Sequence, residues 1–229
     1  MSAHMPSSAD YQSARRFSLR LIGAFAAFLA LCGQCGAARA AEPLRLVVFG
    51  DSLSAGYQLA ADKAFPAQLA AALKAKGHDV SVANAGVSGD TASAGLERLD
   101  WSIPDGTDGV ILELGANDAL RGIDPDVTRK ALAGILARLA ERKIPVLLAG
   151  MLAPPNMGHA YTERFNAIYQ DLAREYRVPL YPFFLEGVAA NQALLLADGM
   201  HPSPEGVAVI VKNILPAVEA FLGTLPAGG

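Results

Sequence analysis

The chain has 229 residues, of which 52% are hydrophobic, and carries a formal net charge of −3 at pH 7. Setting aside residues 1–40, which read as a leader, removes four of the 19 basic residues and one of the 22 acidic ones, leaving 15 against 21. That acidic balance argues against nucleic-acid binding, which needs clustered Lys and Arg to neutralise phosphates, and the length allows one domain or at most two.

The leader has three parts. Arg15, Arg16 and Arg20 form a basic start, Leu21 to Cys32 is an apolar run of twelve, and Ala38-Arg39-Ala40 is a small-residue cleavage site before Ala41. This pattern is that of a signal peptide over 1–40, followed by a single domain over 41–229. The run is too short for a membrane span. Phe17-Ser18-Leu19 after the two arginines fits twin-arginine export poorly, so general secretory export is expected. Both cysteines, Cys32 and Cys35, lie in the leader, so the exported domain has no thiol or disulfide chemistry. Leu31 and Gln34 are too large to precede a lipidated cysteine. A periplasmic or secreted protein is expected.

Five apolar runs read as strands, at 44–49, 79–83, 109–114, 145–150 and 178–181. Helical patterns alternate with them. Asp124-Pro125 is an N-cap followed by proline at the first helical position, with Leu132, Ile135, Leu136 and Leu139 on one face. Phe165, Ile168, Tyr169 and Leu172 repeat the spacing, and Ser203-Pro204 starts a last helix with Val207, Ile210, Val211 and Ile214 inward. Alternation of this kind predicts βαβ units and a five-stranded parallel sheet in a three-layer α/β/α sandwich of the flavodoxin-like class.

The chemistry gathers at the turn after the first strand, where open α/β sheets place ligands. Gly50-Asp51-Ser52-Leu53-Ser54-Ala55-Gly56-Tyr57 puts Ser52 where a hydroxyl is exposed and held still. A serine is a poor nucleophile without a base to take its proton. Far downstream, Asp198 and His201 lie three residues apart, with Gly199 before the histidine and Pro202 after it. The aspartate can set the imidazole's tautomer and stabilise its charged form, completing a Ser52, His201, Asp198 acyl-transfer set. Of the other two histidines outside the leader, His78 reads as a solvated residue at a helix end and His159 as a surface-loop residue. Ser54 reads as local hydrogen bonding, and Asp51 and Asp118 as structural acceptors. So few histidines argue against a metal site, and no metal or cofactor is expected.

Two further blocks stand between these segments: Asn84-Ala85-Gly86-Val87-Ser88-Gly89-Asp90-Thr91 and Gly115-Ala116-Asn117-Asp118. With them the chain resembles the GDSL-type SGNH hydrolases, from about Leu44 to about Leu222. Within that family it looks most like the small bacterial periplasmic esterases of the multifunctional thioesterase/lysophospholipase and arylesterase kinds. The resemblance implies the same fold, with sheet order 2-1-3-4-5. It also implies an oxyanion hole made by the backbone N–H groups of Ser52 and Gly86 and the side-chain amide of Asn117. Such donors make chemical sense, because glycine lets the main chain approach closely and an amide donates without losing a proton.

The loops around the site are apolar. Leu53, Leu120, Met151, Pro154, Met157 and Met200 are the candidate substrate contacts, and methionine suits a pocket for varied chains. The expected substrates are small acyl or aryl esters, with acyl thioesters and lysophospholipids as further members. A monomer is expected, able to meet lipid at a membrane surface without spanning it. A carbohydrate deacetylase of the same superfamily would want an aromatic, polar cleft, and the chain has one Trp. A non-catalytic periplasmic binding module would want a missing catalytic residue.

Overall fold

The computed structural model describes residues 42–226. The signal peptide read over 1–40 lies outside the described residues. Strands β1 (Leu44–Gly50), β2 (Val80–Gly86), β3 (Gly109–Glu113), β4 (Val146–Ala149) and β5 (Leu180–Tyr181) form one sheet in the order β2-β1-β3-β4-β5. Every adjacent pair is parallel. The three-layer sandwich and its strand order are those expected.

Parallel strands need crossovers, and here these are helices on both faces. Helices α2 (Phe65–Ala75) and α7 (Pro204–Leu222) pack together, while α3 (Ala92–Ser102), α5 (Pro125–Glu141) and α6 (His159–Tyr176) pack in sequence with one another. Two short helices, α1 (Ser52–Ala55) and α4 (Ala116–Leu120), follow β1 and β3 directly. The central strands are therefore dry on both sides. Val47, Val48 and Phe49 are buried, as are Val110, Ile111 and Leu112, which explains runs with no polar alternation.

The helix starts follow from their caps. Asp124 accepts the Asp126 N–H at 3.0 Å ahead of Pro125, and Ser203 accepts the Gly206 N–H at 3.2 Å ahead of Pro204. The apolar stripes of α5, α6 and α7 are buried as the spacing requires. Strand boundaries differ more. β2 runs on to Gly86 because its ladder with β1 continues to the pair Gly50 and Gly86. As the edge strand it is partly exposed, and Ser81 and Asn84 interrupt any apolar pattern. β5 keeps only two residues of the expected four.

Two histidine readings change. His78 is not simply solvated: its Nε2 lies 3.0 Å from Glu219 Oε1, joining the end of α2 to α7. His159 is the first residue of α6 rather than a loop residue, and it stays exposed beside Glu163.

In the order β2-β1-β3-β4-β5, winding reverses between β1 and β3. The carboxyl ends of these two strands thus open a crevice, the place where such sheets bind ligands.

Candidate active site

Ser52 enters the crevice from the end of β1. Asp51 caps α1 by accepting the Leu53 N–H on Oδ1 at 3.0 Å. Gly56, at φ 80° and ψ 50°, closes the helix after one turn with its N–H on the Ser52 carbonyl at 3.2 Å. Ser52 is the first residue of that turn, and its own N–H has no partner among the described residues. A side chain at Gly50 is excluded, since its Cβ would lie 2.3 Å from Ser54 Oγ and 2.5 Å from the Glu113 carbonyl.

His201 and Asp198 arrive from the loop before α7, braced by the Leu195 and Pro202 bridge and by the Leu196 N–H on the His201 carbonyl at 2.7 Å. His201 Nε2 is 2.9 Å from Ser52 Oγ, and Nδ1 is 2.7 Å from Asp198 Oδ2. An ionised carboxylate only accepts, so Nδ1 carries the proton of the neutral ring and Nε2 is left to accept from the Ser52 hydroxyl. Asp198 Oδ1 also accepts the backbone N–H groups of Met200 and His201, at 2.9 and 3.0 Å. These two bonds, then the imidazole, hold the Asp198 carboxyl down at about 2. The Tyr57 ring covers the imidazole, centroid to centroid 4.4 Å.

Asn117 sits in the first turn of α4, after Gly115 at φ 117°. A Cβ on Gly115 would lie 2.1 Å from Tyr169 Oη, which donates to the Leu114 carbonyl at 2.8 Å. The Asn117 amide donates from Nδ2 to Asp51 Oδ2 at 3.1 Å and to the Asp90 carbonyl at 3.0 Å.

Gly86 has a different task from the one expected. Its N–H donates to Asn84 Oδ1 at 2.9 Å, and a Cβ there would lie 2.4 Å from the Ala55 nitrogen. It is glycine so that α1 can lie on β2, and its N–H is already committed. The neighbouring Gly89 is at φ +88°, in the loop that supplies the Asp90 carbonyl, and its N–H has no partner among the described residues. Two glycines three residues apart in one block look alike in sequence; only the backbone conformation separates them.

Behind the nucleophile lie two buried carboxyls. Glu113 is fully buried; its Oε2 accepts from Ser54 Oγ at 2.6 Å and from the Asp51 N–H at 3.4 Å, while Oε1 has no partner among the described residues. Burial, and then the charge of Asp51, push the Glu113 carboxyl well above its ordinary value. Burial also pushes Asp51 up to about 6, against the opposing bonds from Leu53 and Asn117. Ser54 is thus bonded across the sheet rather than locally. Asp118 accepts the Ala92 N–H and the Thr128 hydroxyl, at 2.9 and 3.0 Å, as a structural acceptor does.

A cavity of about 530 Å³ opens beside Ser52 and His201, within the usual range for small-molecule sites. Leu53, Leu120, Met151, Pro154 and Met200 line it. Met157 does not; it lies in the single turn Pro155–Met157, with its Cε 3.3 Å from where a Gly122 Cβ would be. Phe183, Leu185, Ala189 and Leu195, from the segment after β5 that no motif marks, line the cavity as well. Among the described residues no group of three or more His, Cys, Asp or Glu could hold a metal ion. No described helix is long and apolar enough to cross a membrane.

Residues 48–209 match the GDSL-like Lipase/Acylhydrolase family. An arylesterase of Vibrio mimicus is 41% identical over 172 residues, covering 75% of this chain and 86% of that protein. The thioesterase 1/protease 1/lysophospholipase L1 of Escherichia coli is 42% identical over 186 residues, covering 79% and 88%. Among solved structures, AlinE4, an SGNH-hydrolase family esterase, superposes with a TM-score of 0.67 at 46% identity, covering 79% of this chain and 97% of that one.

Proposed function

The chain belongs to the GDSL-like lipase/acylhydrolase family and is a carboxylic ester hydrolase, and from that premise we propose that Ser52, His201 and Asp198 carry its chemistry. The observation that supports this most is the continuous chain from Asp198 Oδ2 to His201 at 2.7 Å and from His201 to Ser52 Oγ at 2.9 Å. Ser52 Oγ attacks the acyl carbon while His201 Nε2 takes its proton. Asp198, ionised down to about pH 2, faces the imidazolium that forms. The intermediate collapses to an acyl-Ser52, and His201 returns the proton to the departing alcohol or thiol. Water then attacks the acyl-enzyme by the same route, and the acid leaves.

The oxyanion is held by the N–H groups of Ser52 and Gly89 and by the Asn117 amide. In the resting site both hydrogens of that amide face acceptors, Asp51 and Asp90. A full negative charge competes well with the neutral Asp90 carbonyl for one of them.

The acyl group lies in the apolar cavity. Carboxylic esters with acyl or aryl groups are the proposed substrates, with acyl thioesters and lysophospholipids as further candidates. The apolar lining speaks against a glycan deacetylase, and the assembled triad against a binding module. The reading extends to residues 1–40 as a cleaved signal peptide, 41–229 as the working domain, and a monomer in the periplasm or outside the cell. Mass spectrometry of the exported protein should find Ala41 at its N-terminus. A panel of nitrophenyl esters of graded length, with acyl-CoA and lysophospholipid beside it, tests the substrate class. Each buried methylene should raise kcat/KM about fourfold, from ~0.8 kcal/mol, until the cavity is filled. A flat response to chain length would put the acyl group elsewhere.

A further inference from the structure

Arg98 on α3 takes no part in the mechanism above and does not line the cavity. It is nonetheless only 6% exposed. Its Nε donates to Asp90 Oδ2 at 2.5 Å, Nη1 to the Ala85 carbonyl at 2.9 Å and to Ser102 Oγ at 3.1 Å, and Nη2 to the Gly50 carbonyl at 2.9 Å. The guanidinium lies over the Phe49 ring, 4.2 Å from its centroid.

These acceptors are not scattered. Gly50 ends β1 and precedes Asp51 and Ser52 in the chain. Ala85 is next to last in β2, and Asp90 closes the turn that holds Gly89. The Asp90 carbonyl in turn receives the Asn117 amide. One planar cation therefore sets the relative positions of the strand end bearing the Ser52 N–H, the loop bearing the Gly89 N–H, and the carbonyl against which Asn117 rests. Stability alone does not account for it, because a buried ion pair is often no better than an apolar pair of the same volume. An apolar pair cannot index two strand ends and a loop together; a rigid fork of donors can.

We propose that Arg98 is a positioning residue for the oxyanion site, fixing the spacing of its three donors without touching substrate. The proposal rests on the oxyanion reading above. Misplacement of reacting groups by about 1 Å can cost on the order of 10²-fold in rate. Arg98→Met should therefore lower kcat toward nitrophenyl butyrate by about that factor, with KM little changed. Arg98→Lys keeps the charge but loses the fork, and should recover only part of kcat. In an Asn117→Ala background the Arg98→Met loss should shrink, because both changes act on one donor set. Should Arg98→Met not fold, the Lys variant, assayed well below its melting temperature, carries the test alone. Full kcat in Arg98→Lys, a loss confined to KM, or an equal loss with and without Asn117 would overturn the proposal. The oxyanion reading fails separately and visibly if Asn117→Ala by itself keeps wild-type kcat.

Discussion

Asp51 Oδ2 accepts the Asn117 amide at 3.1 Å, so the residue just before the proposed nucleophile orients the side chain proposed to receive the charge that nucleophile creates. The bond joins the segments that follow β1 and β3 and is made by a carboxyl buried on every side.

Asn117→Ala should lower kcat with little change in KM. The oxyanion is fully developed only beyond the ground state, so its donor appears in kcat. Loss of one such donor costs about 10²–10³-fold, or roughly 3–4 kcal/mol. Steady-state kinetics on a nitrophenyl ester decide it, and a rise in KM at constant kcat would make Asn117 a substrate-positioning group instead.

Asp51→Asn should be nearly as damaging, for a different reason. Asp51 uses both oxygens as acceptors, one for the Leu53 N–H and one for Asn117. An asparagine can supply only one acceptor, so it sets an NH₂ against either the Leu53 N–H or the Asn117 amide. We expect a loss in kcat with the thermal midpoint near that of the wild type at pH 7, where the variant is also relieved of a buried charge. Wild-type kcat in this variant would show that Asn117 does not need its partner.

Stability should depend on pH through the same pair. A carboxyl raised in the folded state contributes stability that is present below its unfolded value and lost as pH rises through its folded one. For Asp51 that window runs from 3.8 to about 6, and Glu113, raised well above 4.5, extends the loss to higher pH. Glu113→Gln mimics the neutral acid and still accepts from Ser54. The difference in melting temperature between variant and wild type should therefore move in favour of the variant as pH goes from 5 to 9. A difference that stays flat with pH would mean that Glu113 ionises at the same pH folded and unfolded, and so is not raised by its burial.

Asp198→Asn should slow turnover by up to about 10⁴-fold, through the tautomer and orientation of His201. Asp198 is held at about 2, so it does not titrate across the working range of an esterase. Its replacement should reshape the pH–rate profile, whereas Asn117→Ala should leave that shape alone.

Ser52→Ala should abolish hydrolysis and leave the melting curve nearly intact. A fluorophosphonate should label the wild type once, at Ser52, as read by peptide mass spectrometry. Labelling at another residue, or full activity in the variant, would remove Ser52 from the mechanism.

Most of the fold is legible because its signals are local. Proline after Asp124 and after Ser203 marks helix starts, and unbroken apolar runs mark strands covered on both faces. What was not legible depends on contacts between distant segments. β2 could not be bounded from its own residues, since an edge strand tolerates Ser81 and Asn84 and its length is set by the ladder to β1. Nothing beside Asn117 in sequence announces that Gly115 turns the chain into α4. Arg98 reads as one more charge on a helix, because nothing nearby in sequence announces the two strand ends it meets. Met157 has the same composition cue as Met151 and differs only in which way one short turn points it.

The cavity wall has a consequence for how this protein can change. Much of its lining comes from the loops after β4 and β5, at Met151, Pro154, Phe183 and Leu185. The donors and their braces come from the ends of β1, β2 and β3. Chain-length preference can therefore drift by substitution in one set of loops while the reactive geometry is inherited unchanged through another. Directed evolution for a new ester should find its useful mutations among those wall residues and almost none among the strand ends.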